Sequence, residues 1–296
     1  MHARLQAFIF LTIASAIWGF GIPLIKKGYS QTTPIEFLFY RYFSAMIICL
    51  PIAICQWKKI KFKRTALPEL IGIGLLANVV SHILIYGGLD KTSSMETALI
   101  TSLTPICIAI GGVFFLGEKI KSREWWGIVI AFLGSLVIVL EPIIFGNNQM
   151  SLSHTTGNLM VLANCLTWAG AMLWMKKVVK KYHPFAITFV TFTVACLSYL
   201  FILLFIQDGW QPLLMLSKPY GLAASLYQGI VGSVIALYLY QYGQKFVAAS
   251  EAGLFNYLIP LFSVPLAILW LGEIPTLLLL VGGAIIIVGI VIAEKK

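Results

Sequence analysis

Charged residues are scarce in this sequence of 296 residues. Only 11% of the residues are charged, 59% are hydrophobic, and the mean hydropathy is +0.92. Soluble domains average about 25% charged residues. This composition therefore excludes a chain whose whole surface faces water, and it predicts a membrane protein.

Motifs for metal, nucleotide and nucleophile chemistry are also missing. The five cysteines form no CxxC pair and no Cys/His cluster, so small buried hydrophobes are favoured over a metal site or disulfides. No GxxxxGK[ST] loop is present, which excludes ATP hydrolysis within this chain. No Ser/His/Asp or Cys/His set with plausible geometry occurs. We predict no catalytic residues, no cofactor and no metal.

Long apolar runs make up most of the chain. A helix that crosses a bilayer needs about 20 apolar residues. The sequence divides into ten such runs, at 4–26, 34–57, 67–89, 93–116, 123–145, 157–178, 184–207, 218–243, 249–271 and 275–293. We predict an all-α polytopic membrane protein with ten transmembrane helices, no soluble domain, and its longest connector near 144–157. The first run is too long for a signal peptide and has no small-x-small cleavage site, so we expect a retained helix.

Basic residues are distributed unevenly between the predicted loops. With the N-terminus inside, 16 Lys and Arg residues fall on the cytoplasmic side and 4 on the other. This is the positive-inside pattern. It predicts a multi-pass protein of the cytoplasmic (inner) membrane with both termini in the cytoplasm. The net charge of +10 is then explained by topology and anionic lipid headgroups, and no nucleic-acid partner is expected.

One sequence frame occurs twice. The stretch METALITSLTPICIAIGGVFFLGE, which begins at Met95, matches SEAGLFNYLIPLFSVPLAILWLGE, which begins at Ser250, 155 residues later. Upstream, Trp18 matches Trp168 at an offset of 150. The chain is therefore predicted to be two five-helix repeats, residues 1–146 and 151–296. Because five is odd, the second repeat is inverted in the membrane, as in many secondary transporters that work by alternating access. The alternative is a duplication that only built a larger bundle.

Several stretches resemble the EamA family of the drug/metabolite transporter superfamily. They are AIWGFGIPLIKKG, PIEFLFYRYFSA and the pair ALITSLTPICIAIGGVFFLGEKI and GLFNYLIPLFSVPLAILWLGEIP. The resemblance covers essentially the whole chain. It implies a ten-helix inner-membrane carrier of small metabolites, often an exporter of amino acids or related compounds, without fixing the substrate. Arg41 matches the second-helix arginine of the family. It either holds its helix against polar groups or meets a substrate carboxylate, and the first role is favoured.

Prolines and glycines recur at matched positions in both repeats. Pro105 and Pro260 lie near the middle of the fourth and ninth runs, where each removes a backbone hydrogen bond. We interpret them as a pair of hinges, with packing kinks as the alternative. Leu-Gly-Glu ends each of these runs as a stop signal. Gly127, Gly134, Gly282 and Gly289 predict a packing or dimer surface at the fifth and tenth helices, so the protein is expected to be a monomer or a homodimer.

Polar and aromatic residues near the middle of the spans indicate a substrate pocket, because they are costly in a membrane. The predicted substrate-binding residues are Trp18, Asn78, His82, Tyr86, Thr101, Asn164, Trp168, Tyr227, Tyr238 and Asn256. His82 either carries a proton or stays neutral and hydrogen-bonded to Asn78 or to substrate, and the neutral role is favoured. No acid lies at the centre of a span, which argues against proton antiport by a carboxylate.

These observations predict a secondary transporter that exports small metabolites such as amino acids. An amphipathic, uncharged or zwitterionic substrate and membrane lipids are the expected partners. The alternative function is an intramembrane enzyme that acts on a lipid or lipid-linked substrate. Such an enzyme needs paired acids or a metal cluster at one membrane face, and the loops offer none. A sensor without transport activity would need a soluble domain.

Overall fold

The described part of the protein is helical throughout. The structure is a computed structural model, and it describes residues 2–56, 66–116, 122–145, 148–178, 181–182, 184–205, 215, 217–243, 246 and 255–294. The helices in these ranges are α1 (His2–Gly28), α2 (Pro34–Gln56), α3 (67–91), α4 (94–116), α5 (Ser122–Phe145), α6 (Asn148–Val178), α7 (Pro184–Phe205), α8 (219–243), α9 (255–271) and α10 (Leu277–Glu294).

Many of these helices are suited to a lipid environment. Seven of them, within the described residues, are long and apolar enough to cross a membrane, and three shorter apolar helices lie at Trp125–Ile138, Phe255–Leu271 and Leu277–Gly289. Helices suit a bilayer because they satisfy the backbone polar groups within one segment. The protein is therefore a multi-pass membrane protein, as the composition predicted.

The start of α6 corrects one prediction. We expected the longest connector near 144–157, but α5 extends to Phe145 and α6 begins at Asn148. The polar stretch is held as helix by contacts with α3 and α4. His154 Nδ1 lies 3.5 Å from the Glu96 carboxylate, and the Asn158 amide donates to the same carboxylate at 3.2 Å. Polarity had indicated a loop, whereas these partners stabilise a helix.

Four helices contain irregular segments. Two of them, α3 and α8, carry a π-helical segment between regular turns, at Leu75–Val80 and Tyr227–Ile235. The α4 helix is interrupted between Ser94–Thr101 and Thr104–Leu116. The α9 helix begins with a 3-10 turn and ends with a π segment.

Both repeated prolines lie where their helix is interrupted. Pro105 is in the first turn after the break in α4, and Pro260 is in the first turn of Ile259–Leu266, directly after the 3-10 turn. A proline is tolerated at this position because the first N–H groups of a helix have no intrahelical partner. The α9 stop signal is also present, since Gly272 ends the helix with a φ of 68°, a left-handed conformation that glycine adopts without strain. Gly117 and Glu118 lie outside the described residues.

Helix packing brings together the two halves of the sequence. The α5 helix packs along α10, α1 packs against α8 and α9, and α6 packs against α3 and α4. The α2 helix packs against α7 and α8. Each half therefore depends on the other for its buried surface.

The repeated glycines of α5 and α10 pack against each other within the chain. A Cβ added to Gly134 would lie 2.7 Å from the Gly282 carbonyl oxygen, and one added to Gly289 would lie 2.6 Å from the Gly127 carbonyl oxygen. Small residues let two membrane helices approach this closely. The predicted roles were a packing surface or a dimer surface. Here these glycines pack α5 against α10 within one chain.

This close approach makes Gly134 sensitive to a single methyl group. We expect Gly134→Ala to lower the melting temperature in detergent, because overpacking costs about 1–3 kcal/mol. Gly170→Ala is the matched control, since a Cβ there would meet no atom within 4 Å. Equal melting temperatures for the two variants would contradict the contact.

Candidate functional site

Aromatic rings from four helices form a buried cluster. We call it the aromatic cluster, and its members are Tyr42 of α2, His82 and Tyr86 of α3, Trp168 of α6, and Phe192 and Tyr199 of α7. The ring centroids of neighbours in this cluster lie 5.6–5.8 Å apart. Tyr42 and Tyr199 are stacked, and both are almost completely buried.

Side chains of the cluster satisfy backbone carbonyls around the π segment of α3. The Tyr199 hydroxyl donates to the Asn78 carbonyl at 2.7 Å and contacts the Val79 carbonyl at 3.2 Å. His82 donates from Nδ1 to the Ala77 carbonyl at 2.8 Å. The partner of His82 Nδ1 is thus a backbone carbonyl rather than Asn78, and a hydrogen bond from His82 to substrate stays a prediction. Irregular turns of this kind often mark functional positions in helices.

The α8 helix repeats this arrangement. The Ser233 hydroxyl donates to the Gln228 carbonyl at 2.9 Å, five residues earlier, as His82 does to Ala77. The Trp18 indole donates to the Gly232 carbonyl at 2.9 Å. A side chain from a neighbouring helix therefore contacts the π segment in both α3 and α8.

The α6 helix brings two predicted residues to this region. Ser81 donates from its hydroxyl to the Asn164 side-chain oxygen at 2.5 Å, and the Trp168 ring contacts His82. Asn164 and Asn78 are both buried. The structure thus places five predicted residues in one neighbourhood: Asn78, His82, Tyr86, Asn164 and Trp168.

Two further predicted residues lie between α1 and α8. Tyr227 donates from its hydroxyl to the Ile17 carbonyl at 3.0 Å. The Trp18 ring lies 5.2 Å from that of Tyr240. Both predicted residues are partly buried, and they link α1 to the irregular part of α8.

The other three predicted residues have no recorded contact with the aromatic cluster. Thr101 donates to the Thr97 and Ala98 carbonyls of its own helix. The Asn256 side-chain oxygen is buried and has no hydrogen-bond partner among the described residues. Tyr238 is 65% exposed, and its ring stacks on Tyr242.

Several members of the site were missing from the predicted set. Tyr42, Tyr199 and Ser233 are buried. The Tyr42 ring contacts His82, Tyr199 donates to the Asn78 carbonyl, and Ser233 accepts a hydrogen bond from Arg41. A signal was available, because Tyr199 lies in the middle of an apolar run and Ser233 is polar near mid-span.

Polar contacts link several helices at the end of the molecule where α1 terminates. The Lys26 ammonium donates to the carbonyls of Leu89, Asp90 and Thr92 at 2.7–3.0 Å, around the end of α3. The Glu273 carboxylate accepts from the backbone N–H groups of Ser94 and Met95 at 2.8 and 3.0 Å. Glu273 therefore caps the N-terminus of α4 in addition to following the stop signal of α9.

A matched ion pair lies at each end of the molecule. Lys218 contacts Glu36 at 3.5 Å where α2 and α8 begin, and Lys181 contacts Glu69 at 3.0 Å where α3 and α7 begin. The hydrogen bond with Glu69 and its negative charge raise the pKa of the exposed Lys181. Each pair joins a helix from the first half of the sequence to a helix from the second half.

Comparison with known proteins assigns the family. The EamA-like transporter family matches residues 5–140 and again residues 155–294. The chain belongs to this family. An uncharacterized transporter of Bacillus subtilis (strain 168), YdfC, is 27% identical over 98% of this chain and 92% of its own length. An uncharacterized transporter of Archaeoglobus fulgidus is 26% identical over 99% of this chain and 100% of its own length.

The fold of this EamA-like protein also matches a known crystal structure. That chain is 19% identical, with a TM-score of 0.67, over 99% of this chain and 96% of its own length. At this identity the match establishes the fold alone. The family match confirms the resemblance noted in the sequence, and both named relatives are described as uncharacterized transporters.

The hydroxyl of Tyr199 is expected to stabilise the π segment of α3. Tyr199→Phe removes the hydroxyl donor and leaves the buried carbonyls of Asn78 and Val79 without this hydrogen bond. The loss costs about 1–3 kcal/mol of folding free energy. We expect faster hydrogen–deuterium exchange across residues 75–86. Tyr220→Phe is the control, because Tyr220 is 54% exposed. Unchanged exchange in Tyr199→Phe would show that the π segment does not depend on this bond.

Proposed function

We propose that this protein is a secondary transporter that exports small metabolites, such as amino acids or related compounds, across the cytoplasmic membrane. It works by alternating access between two inverted five-helix repeats, residues 1–146 and 151–296, with both termini in the cytoplasm. The observation that carries the proposal is the buried aromatic and polar region between α1, α2, α3, α6, α7 and α8. In a family whose named relatives are transporters, such a region is the natural place for substrate.

The packing of the helices supports the repeat architecture. Pairs that correspond between the halves make corresponding contacts, as α1 with α8 and α6 with α3, or α1 with α9 and α6 with α4. The two π segments also lie in corresponding helices. Two similar halves in opposite orientation can exchange roles, and one site then opens to each side in turn.

The chemistry of the region supports an amphipathic substrate. Aromatic rings provide broad apolar contact surfaces with polar edges, and hydroxyl and amide groups lie beside them. Asn164, His82 and Trp168 lie close together where α3 packs against α6. Such a lining fits a small molecule with an apolar body and a few polar groups.

A transport assay tests this function directly. The purified protein is reconstituted into liposomes that contain labelled amino acids and related metabolites, and loss of label is compared with protein-free liposomes. We expect saturable flux of at least one compound, accelerated by the same unlabelled compound on the opposite side. Leakage equal to that of protein-free liposomes across the whole panel would contradict the proposal.

The two prolines test alternating access. Alanine supplies the missing N–H and removes the ring, so it favours a continuous helix at the breaks beside Pro105 and Pro260. Because the repeats are inverted, we expect Pro105→Ala and Pro260→Ala to bias the protein toward opposite facing states.

The measurement is labelling of a cysteine at Thr97 by a membrane-impermeant reagent. Thr97 is completely buried here, so a cysteine at this position reports opening of the end where α1 terminates. The native cysteines are first replaced. One proline variant should raise the labelling rate and the other should lower it. If both variants shift the labelling rate in the same direction, or if neither variant shifts it, the prolines are packing features.

A further inference from the structure

Arg41 places a guanidinium group inside the membrane-spanning part of α2. It lies seven residues after Pro34, which corresponds to roughly 10 Å along the helix axis. Only 8% of Arg41 is exposed. Charged residues at such positions are costly and commonly mark a functional site.

Two hydrogen bonds hold the guanidinium in place. Nε donates to the Ser233 hydroxyl of α8 at 3.0 Å, and Nη1 donates to the Tyr86 hydroxyl of α3. The rings of Tyr42 and Tyr86 each lie 5.3 Å from the guanidinium carbon. A guanidinium has five N–H donors, and these bonds use two of them.

In the part of the chain that the structure describes, no carboxylate balances the positive charge of Arg41. Among the described residues, no carboxylate lies within 4 Å of it. Burying a charge without a counter-charge costs several kcal/mol. A neutral donor would be enough to bridge α2 to Tyr86 and Ser233, so the bridge alone does not account for a charge.

Other partly buried charged groups in the described residues have several polar partners. Lys26 donates to three carbonyls with its three N–H groups. Glu273 accepts two backbone N–H groups, and Glu96 accepts from the Ser93 N–H and the Asn158 amide. Arg41 differs from these groups, since it keeps both its charge and most of its donors available.

Tyr86 adds a second donor beside Arg41. The Tyr86 hydroxyl oxygen accepts from the guanidinium, so its proton is left for another acceptor. The described residues provide no such acceptor. Ser233 differs, because its proton is donated to the Gln228 carbonyl. The guanidinium and the phenol together therefore offer donors to one anionic group.

We propose that Arg41, with Tyr86, binds the carboxylate of the transported substrate. This inference rests on the proposed transport function and narrows its substrate class to carboxylic acids, including amino acids. A guanidinium matches the planar carboxylate with two parallel hydrogen bonds. The single positive charge of Arg41 suits a substrate acid group with a single negative charge. The neighbouring rings of Tyr42, His82 and Trp168 accept the apolar body, and the aromatic faces can receive a substrate ammonium through cation–π contact.

Ligand-induced stabilisation tests the carboxylate site. The melting temperature of the purified full-length protein in detergent is measured with the standard L-amino acids, and separately with their carboxamides, which lack the anionic group. We expect one or more acids to raise the melting temperature while the matched amides do not. Stabilisation by the amides to the same extent, or by none of the acids, would overturn the inference.

Variants assign the effect to Arg41. Arg41→Gln keeps a neutral donor toward Ser233 and Tyr86 but removes the charge, and we expect binding of the acid to weaken by at least about tenfold. Arg41→Lys keeps a charge without the planar fork and should weaken binding to an intermediate degree, which preserves the test if Arg41→Gln does not fold. Ser233→Ala removes the α2–α8 bridge and leaves the charge, so it measures the structural part of the effect. Lys181→Gln is the matched control, because it removes an exposed positive charge that pairs with Glu69 and leaves Arg41 in place.

The outcomes separate the two proposals. If Arg41 only joins helices, Ser233→Ala and Arg41→Gln should lower the melting temperature without ligand, and the acid should bind both as it binds the native protein. If liposomes transport only compounds without an acid group, and Arg41→Gln transports them normally, the carboxylate site is wrong while transport stands. If binding of acids depends on Arg41 but no flux occurs in liposomes, the transport function is wrong while the binding site stands.

Discussion

Hydrogen bonding of the backbone in a medium without water is the constraint on which the rest of this structure depends. A regular helix meets this requirement alone, but an irregular helix needs side-chain partners, either from a neighbouring helix or from its own next turn. In α3 those partners are the Tyr199 hydroxyl and the His82 imidazole, and in α8 they are the Ser233 hydroxyl and the Trp18 indole. The polar groups of the candidate site therefore also maintain the helices that form it.

The two kinds of helix contact differ in what they allow. Where α5 meets α10, glycines bring the backbones together and little space remains for sliding. Where α1 meets α8 and α6 meets α3, large rings and side-chain hydrogen bonds make the contacts. The two interfaces therefore differ in how closely the helix backbones approach each other.

Among the described residues, the charged groups that make ion pairs or helix-end contacts lie near the ends of the molecule, and Arg41 lies deeper. Lys26, Glu273 and the two matched ion pairs lie where helices begin or end, and each has a partner in the protein. Partners at helix ends satisfy the N–H and C=O groups that the helix leaves unbonded. Arg41 lies deeper, between aromatic rings, and retains unused donors. The distribution separates charges that hold the helices together from one that is available to a ligand.

The sequence by itself determined the membrane class, most helix boundaries, the family and the interruptions beside Pro105 and Pro260. Hydrophobic length, loop charge and proline position are local properties of the chain, and they are visible without tertiary contacts. Polarity misjudged the start of α6, because the polar stretch is helical only through its contacts with Glu96. Asn78, His82, Tyr86, Asn164 and Trp168 were also predictable, since mid-span polar and aromatic residues are rare.

Only the tertiary structure decided which of these residues meet. Tyr199 donates to the Asn78 carbonyl, which lies more than 100 residues away in the sequence. Ser233 donates to a carbonyl within the irregular turn of its own helix. Composition reveals neither contact. Tyr238 has the same residue type as Tyr86 but is exposed, because helix rotation and neighbouring helices set the face that is buried. Whether Arg41 has an anionic partner likewise depends on long-range packing, and no local pattern encodes it.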